Sequence, residues 1–476
     1  MKIILFLGLL LWSCSSHANG ALSPDEVLES ARLHYPRILA AMQEQQVSRA
    51  RIQEKEGAFD ATLEQDVSSR LSGFYDGQQI DTRLVKPIPD FNSRVYGGYR
   101  ISDGDFPIYE DRLITNDNGE ILIGAELSLL RNSLIDDRRA EVNLAQIKAE
   151  MADIDLLIMQ MNVQLSALNR YWRWVAAGKE LGVLHSILKL MEDRQDGLEK
   201  RYKRGDVAKI FLTENQQYIT QRKAQIVEAE RAFQDAAFQL SLFYRDSDGE
   251  QITPLPGSLP KAFPSPGELA EEEALRTIIA QHPELQRLAQ SVLETEQELA
   301  LGENLLLPKA DLAFEFSDDF GSGSTTRERA ESVVKLKVSV PLERNLAKGK
   351  IRKAKADFKR LNHLAELRED ELLTQLANIM VEIKARKKSI KLIEDEIRFA
   401  KTMEKAERKR FRAGGSDFFL INVRETALAN ARIKHVQANT QYQLARAKLD
   451  ALTLNMGTST LTPPTALNDD VASAVD

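Results

Sequence analysis

Apolar residues recur along this chain in two rhythms. From Leu212, steps of three and four visit Leu212, Asn215, Ile219, Arg222, Ile226, Ala229, Phe233, Ala236, Leu240 and Phe243. The same register returns 209 positions on, at Ile421, Arg424, Leu428, Ala431, His435, Ala438, Tyr442, Ala445, Leu449 and Leu452. Eight of ten positions are apolar in each ladder. A 3,4 ladder places them on one helical stripe, the seam of a coiled coil. Between Lys350 and Ala413 there are 64 residues without Gly or Pro, room for a helix of about 96 Å at 1.5 Å per residue. Its inner stripe is Leu372, Leu376, Ile379, Ile383, Ile390, Ile393 and Ile397. In the first half Met161, Leu165, Leu168, Trp172 and Val175 lead into Leu181, Leu184, Leu188 and Met191, with a bend expected at Gly178 and Gly182.

The second rhythm has a period of two. Val334, Leu336, Val338 and Val340 alternate with Lys335, Lys337 and Ser339, while Leu312, Phe314 and Phe316 alternate with Asp311, Ala313 and Glu315. Ile121, Ile123, Ala125, Leu127 and Leu129 repeat the pattern. Such strands have one apolar and one polar face. They suit a membrane barrel and a half-covered soluble sheet equally well.

These elements occur twice. Arg201-Tyr202-Lys203-Arg204-Gly205 reappears as Arg410-Phe411-Arg412-Ala413-Gly414. Ser23-Pro24-Asp25-Glu26 and Ser265-Pro266-Gly267-Glu268 both resemble helix starts, with Ser as N-cap, Pro at N1 and Glu at N3. Tyr35-Pro36 and His282-Pro283 are expected inside the two opening helices. Pro254, Pro256, Pro260, Pro264 and Pro266 mark an extended linker. The organisation expected is a first repeat at 22–250, a linker at 251–266, a second repeat at 267–456 and a polar tail at 457–476. Lys2 and the apolar run Ile3–Trp12 indicate a secretory leader over 1–18. Cleavage after Ala18 competes with lipidation of Cys14 in the lipobox-like Leu11-Trp12-Ser13-Cys14.

Composition narrows the function classes. With 28% charged residues among 476, and no run of about 20 apolar residues, the chain is no polytopic helical membrane protein. A net charge of -7 gives no reason to expect nucleic acid. The single cysteine excludes a disulfide framework. There is no phosphate-binding loop, nucleophile elbow or zinc-protease motif, so neither an enzyme nor a cofactor or metal site is expected. Geometry adds one demand. About four principal strands cannot close a membrane barrel, which needs at least eight, so a membrane reading requires an oligomer.

In its two tip motifs, and in the strand-to-helix passages Val338-Ser339-Val340-Pro341-Leu342 and Leu127-Ser128-Leu129-Leu130, the mature chain resembles the TolC family of outer-membrane efflux proteins. The resemblance implies a mostly α fold with a small β part, built from a duplicated helix–strand–helix unit. It implies a homotrimer whose long coiled helices form an α-barrel tube in the periplasm and whose strands close a 12-stranded β-barrel in outer-membrane lipid. It also implies an exit duct of a tripartite efflux or type I secretion system, whose partners are a periplasmic adaptor protein and, through it, an inner-membrane transporter. Arg201, Tyr202, Gly205, Arg410, Phe411, Gly414 and Asp417 are the expected gate and adaptor contact. Phe411 is placed to pack on the neighbouring helix pair and Arg410 to pair with an acid such as Asp417 or Glu425. Where some members carry acidic constrictions, six and nine residues past each tip glycine, this sequence has Phe211 and Glu214 in the first copy and Leu420 and Val423 in the second, so the second copy departs from the family. Asp103–Glu120 resembles an insertion. A periplasmic coiled-coil adaptor is the alternative, and it would carry a lipoyl-like or barrel domain nested between paired helices.

Overall fold

The computed structural model describes residues 20–90, 92–107 and 113–454. The leader over 1–18 with Cys14, and the tail at 457–476, lie outside the described residues. The first helix, α1 (Pro24–His34), starts on a capping box: the Glu26 N–H donates to Ser23 Oγ at 3.2 Å, and the Ser23 N–H donates back to Glu26 Oε2 at 3.5 Å. It ends before Pro36, which opens α2 (Pro36–Glu56). The prolines expected inside the opening helices instead divide them. A residue before proline is pushed out of the helical region, and Tyr35 is extended at φ −76°, ψ 120°. In the second repeat α5 (Glu272–Ile279) and α6 (Pro283–Asn304) are split by His282 at φ −62°, ψ 138°. Ser265 does not cap a helix: α5 begins at Glu272, where two acids favour the dipole of the first turn.

Two helix pairs carry the ladders. The first is α3 (Asp137–Lys203, 67 residues) with α4 (Lys209–Ser241, 33 residues). The second is α7 (Asn345–Arg412, 68 residues) with α8 (Phe418–Leu452, 35 residues). The longer partners run about 100 Å at 1.5 Å per residue. Asp136 accepts from the Arg138 and Arg139 N–H groups at 2.9 and 3.1 Å, so its place is to cap α3. That helix runs unbroken through Gly178, where a Cβ would lie 2.4 Å from Leu259 and 2.9 Å from Phe233. Gly178 therefore serves close packing.

Two compact units share the chain. One combines Met1–Leu39, Gln160–Leu275 and Thr374–Asp476. Its described core holds Trp174, Tyr171 and Tyr442, with Trp174 stacked 6.2 Å from Phe233 and the Tyr171 hydroxyl donating to Leu22 O at 2.8 Å. The ladder residues Ile219, Ile226, Phe233, Leu240, Ile421, Leu428, Tyr442 and Leu449 are all buried in it.

The other unit combines Ala40–Met159 and Arg276–Leu373 and holds the sheet. Six antiparallel strands stand side by side in chain order: β1 (Thr62–Ser69), β2 (Gln78–Ile88), β3 (Ser93–Asp103), β4 (Glu120–Ser128), β5 (Lys309–Asp319) and β6 (Glu331–Ser339). The expectation of about four strands is thus corrected to six. The first repeat supplies the excess, with four strands against two in the second, and β4–β5 pairing joins the two repeats into one sheet. The stretch taken as an insertion is the β3–β4 loop. There Ser102 and Thr115 bond one another twice through backbone N–H and hydroxyl at 2.8 Å, and the Asn118 N–H donates to Phe320 O at 3.0 Å.

Candidate functional site

Strand register sorts the sheet into two unlike faces. Residues directly opposite on antiparallel strands share a face. One row runs Leu63, Leu84, Gly97, Ile123, Phe316 and Ser332; another runs Leu127, Leu312 and Leu336. Val67, Ile80, Tyr99, Ile121, Phe314, Val334 and Val338 lie on the same side, and all of them are exposed. Leu63, Val334 and Leu336 are exposed by 73%, 66% and 62%. A contiguous apolar face of this breadth marks a surface that water does not cover.

The opposite face is charged and tied together. Arg100 bridges Asp81 at 3.0 Å and Glu120 at 3.1 Å, and Arg83 holds Asp81 from its own strand at 2.7 Å. Arg94 grips Glu126 across β3 and β4 at 2.5 Å. The Tyr96 hydroxyl donates to Glu315 at 2.7 Å, two strands away. That reach crosses Gly124, where a Cβ would sit 2.3 Å from the Tyr96 ring. Lys335 and Lys337 share this polar face with Asp311 and Glu315. Alternation of an apolar face with a water-lined, charged one is the pattern of a membrane β-barrel wall.

In the other unit each long helix ends in the same turn. Gly205 has φ +81° and Gly414 φ +77°, a left-handed backbone that glycine adopts without steric cost. The Gly205 N–H donates to Tyr202 O and the Asp206 N–H to Arg201 O, both at 2.9 Å. In the second copy Gly414 donates to Phe411 O at 3.1 Å and Gly415 to Arg410 O at 2.9 Å. Both are Schellman caps, and Arg201 and Tyr202 occupy the same cap positions as Arg410 and Phe411. The returning helices start differently. Asp417 caps α8 by accepting from the Leu420 N–H at 2.8 Å, whereas Ala208 offers α4 no side-chain cap.

Phe411 packs with Leu198, Phe418 and Ile421, and the Arg201 guanidinium lies 5.6 Å from its ring centre. Arg410 does not meet Asp417 or Glu425. Its guanidinium lies 3.7 Å from Glu407, one turn back, and donates to Gly415 O at 3.3 Å. The reason is that both acids are engaged elsewhere, Asp417 as a cap and Glu425 in a buried cluster that sequence reasoning missed.

That cluster joins all four helices. Arg194 on α3 donates through Nη1 to Glu425 Oε2 on α8 at 2.5 Å and through Nε to Asn215 Oδ1 on α4 at 2.8 Å. Its guanidinium lies 4.9 Å from the Phe418 ring centre. Arg408 on α7 reaches the other oxygen of Glu425 at 3.4 Å and also pairs with Glu404. The Arg194 and Glu425 side chains are 6% and 3% exposed. Burial raises the Glu425 carboxyl above its ordinary range, partly offset by the two guanidiniums, and burial lowers Arg194. The available signal was a charge on a seam, since Arg194 follows Met191 by three and precedes Leu198 by four. Among the described residues no group of His, Cys, Asp and Glu is arranged to hold a metal ion. No helix of the described residues is long and apolar enough to cross a membrane.

A sheet with one apolar and one charged face, joined to long paired helices with glycine-capped turns, has the fold of outer-membrane channels. The open-state MtrE channel of Neisseria gonorrhoeae superposes with a TM-score of 0.66 at 12% identity, over 90% of this chain and 88% of that one. VceC of Vibrio cholerae gives 0.63 at 14% identity over 90% and 96%, and the CmeC channel of Campylobacter jejuni 0.63 at 10% over 90% and 85%. Within the chain, residues 274–453 match the family model "Outer membrane efflux protein". No curated protein sequence matches it.

Proposed function

We propose that this chain is the outer-membrane exit duct of a tripartite efflux or type I secretion system, a passive conduit gated at its helix tips. The sheet carries the reading: the strand registers gather apolar side chains such as Leu63, Leu84, Ile123, Phe316 and Leu336 on one face and the paired charges Asp81, Arg100, Glu120, Arg94 and Glu126 on the other. A single six-stranded sheet leaves β1 and β6 as open edges, and an open sheet cannot sit in lipid. The chain therefore functions as a closed oligomer, in this reading the homotrimer that the family resemblance implies. Its charged strand face lines water and its apolar face meets outer-membrane lipid. The adaptor alternative has no corresponding feature, because the strands of both repeats join one sheet instead of a domain nested in one helix pair.

The Schellman turns at Gly205 and Gly414 form the gate and present Arg201, Tyr202, Arg410 and Phe411 to a periplasmic adaptor protein, which connects the duct to an inner-membrane transporter. Basic side chains gather there, at helix C-termini whose dipoles favour them. Native-membrane crosslinking should give trimers in the outer-membrane fraction. Purified trimers should conduct in planar bilayers, more strongly after Arg410→Ala with Phe411→Ala. A protein that stays with the inner membrane, or forms only monomers and dimers, overturns the reading. Unchanged conductance in intact double-variant trimers removes the gate from these two residues.

A further inference from the structure

The two outermost strands differ from the four between them. In β1 all eight residues are exposed, and in β6 eight of nine. On the polar face the inner strands pair their charges, as Arg100 does with Asp81 and Glu120. The edge strands do not: Glu64 and Asp66 on β1, and Lys335 and Lys337 on β6, make no ion pair or side-chain hydrogen bond among the described residues. Asp311, across from Lys337, is engaged by Lys309 at 2.9 Å and by Ser128 at 3.0 Å. One edge thus carries two unpaired carboxylates, and the other carries two unpaired ammoniums with Glu331 at the start of its strand, all on the face that holds the network.

Resting on the channel reading above, we propose that β1 of one copy pairs antiparallel with β6 of the next in the register that sets Thr62 opposite Ser339. In that register Glu64 faces Lys337 and Asp66 faces Lys335, while Leu63 meets Val338 and Val67 meets Val334 on the apolar side. A slip of one residue sends charge to the lipid face. A slip of two in either direction breaks one of the two ion pairs. Pairing β1 with β1 sets carboxylate against carboxylate, which destabilises cross-strand neighbours, and pairing β6 with β6 leaves the acidic β1 edges with only each other. The seam is accordingly head-to-tail, the kind that closes a ring.

Every strand counts in that ring. Both β2 and β3 lie inside the order β1-β2-β3-β4, so neither can leave the sheet without breaking its pairs on both sides. Three copies then close a barrel of eighteen strands, not twelve. Eighteen is an even number in the porin range, where a barrel encloses an aqueous channel.

Paired cysteines test the seam in full-length protein in its native membrane. Asp66→Cys with Lys335→Cys, and Gln65→Cys with Leu336→Cys, place the partners within the Cα separation a disulfide needs. Oxidation should give a three-chain product on a non-reducing gel. The single-cysteine variants, and the mismatched pair Thr62→Cys with Val333→Cys, should give none. Asp66→Lys should lose most of the heat-labile trimer, and adding Lys335→Asp should restore it. A disulfide dimer from Asp66→Cys alone overturns the proposal, because β1 then meets β1. So does the absence of interchain disulfides in protein that lysine-reactive crosslinkers still trap as outer-membrane trimers. If those crosslinkers trap no trimer of the unmodified chain, the channel reading fails instead.

Discussion

Replacing Glu425 by Ala removes a carboxylate held by two guanidiniums from two different helices. Arg194 loses its 2.5 Å partner and keeps only Asn215 and the Phe418 ring, with 6% of its side chain in contact with solvent. Breaking one side of a buried pair costs about 3–5 kcal/mol, since the remaining charge is uncompensated. Arg408 suffers less, being 27% exposed and still paired with Glu404. Glu425→Gln keeps an acceptor but loses the charge assistance, a smaller cost of about 1–2 kcal/mol. Arg194→Met with Glu425→Leu replaces the pair by apolar side chains and should recover part of the loss; Asn215 Nδ2 keeps the Gln195 side chain and Met191 O, while its Oδ1 loses the Arg194 donor. Amide hydrogen exchange in α3 and α8 around Arg194 and Glu425 reads this local opening. At 1.4 kcal/mol per tenfold, Glu425→Ala should speed exchange at least about a hundredfold in intact trimers. Burial raises the Glu425 carboxyl, so only in the pH window between the ordinary Glu range and that raised value does the packed cluster hold a proton that the locally opened one has released. Closure therefore weakens as pH rises through the window above the ordinary Glu range, and Glu425→Gln should abolish that slope. Exchange within a few-fold of the parent in Glu425→Ala would refute the view that this cluster holds the tips together.

Three further outcomes follow from the same structure. Leu336→Arg, on the apolar face of β6, should cost about 2–4 kcal/mol if it lies near the bilayer midplane and reduce trimer yield; normal assembly of Leu336→Arg would invert the facing. Gly205→Ala and Gly414→Ala meet no atoms within 4 Å, so each should cost only the left-handed backbone penalty of about 1–2 kcal/mol, seen as faster proteolysis at the turns. His282 accepts the Glu284 N–H at the start of α6 through Nδ1 at 3.3 Å, and burial lowers its pKa. Its contribution is therefore lost as pH falls from the ordinary His range through the lowered value, opening the first turn of α6; His282→Asn, which keeps an N-cap acceptor, should make the exchange protection factor there independent of pH.

Where periodicity was long it was legible. The ladders on α4 and α8, the two glycine turns and the facing of Leu312, Phe314, Val334 and Leu336 could all be read from spacing alone. Strand number could not. Thr62–Ser69 has just two apolar residues, Leu63 and Val67, at a spacing of four that a helix would also show. In β3 the alternation is interrupted by Gly97-Gly98, which lets the Thr82 carbonyl and the Arg83 side chain approach Gly98. Helix division at Tyr35 and His282 was hidden because Pro at N1 of a new helix and Pro inside an old one give the same string. The Arg194–Glu425 contact spans 231 positions, and no local pattern names a partner at that distance. Its trace was the misplaced charge at Arg194. The missing Arg410 partner had the opposite cause, since the nearest acids in sequence were already committed to a cap and to the buried cluster.

Because the strands lie in the order in which they are synthesised, the first and last to emerge are the two that stay open. A newly exported chain can complete four of its six strands from within but neither rim. In the proposed assembly, until other copies arrive it displays two unpaired hydrogen-bonding borders and an apolar face, the surfaces on which polypeptides aggregate. Maturation is therefore a race between encounter and misassembly, set by expression level and by escort through the periplasm. A chain sound at one rim and defective at the other would still be accepted by its neighbours and then block them. Such a variant should act as a dominant poison when produced beside the intact protein.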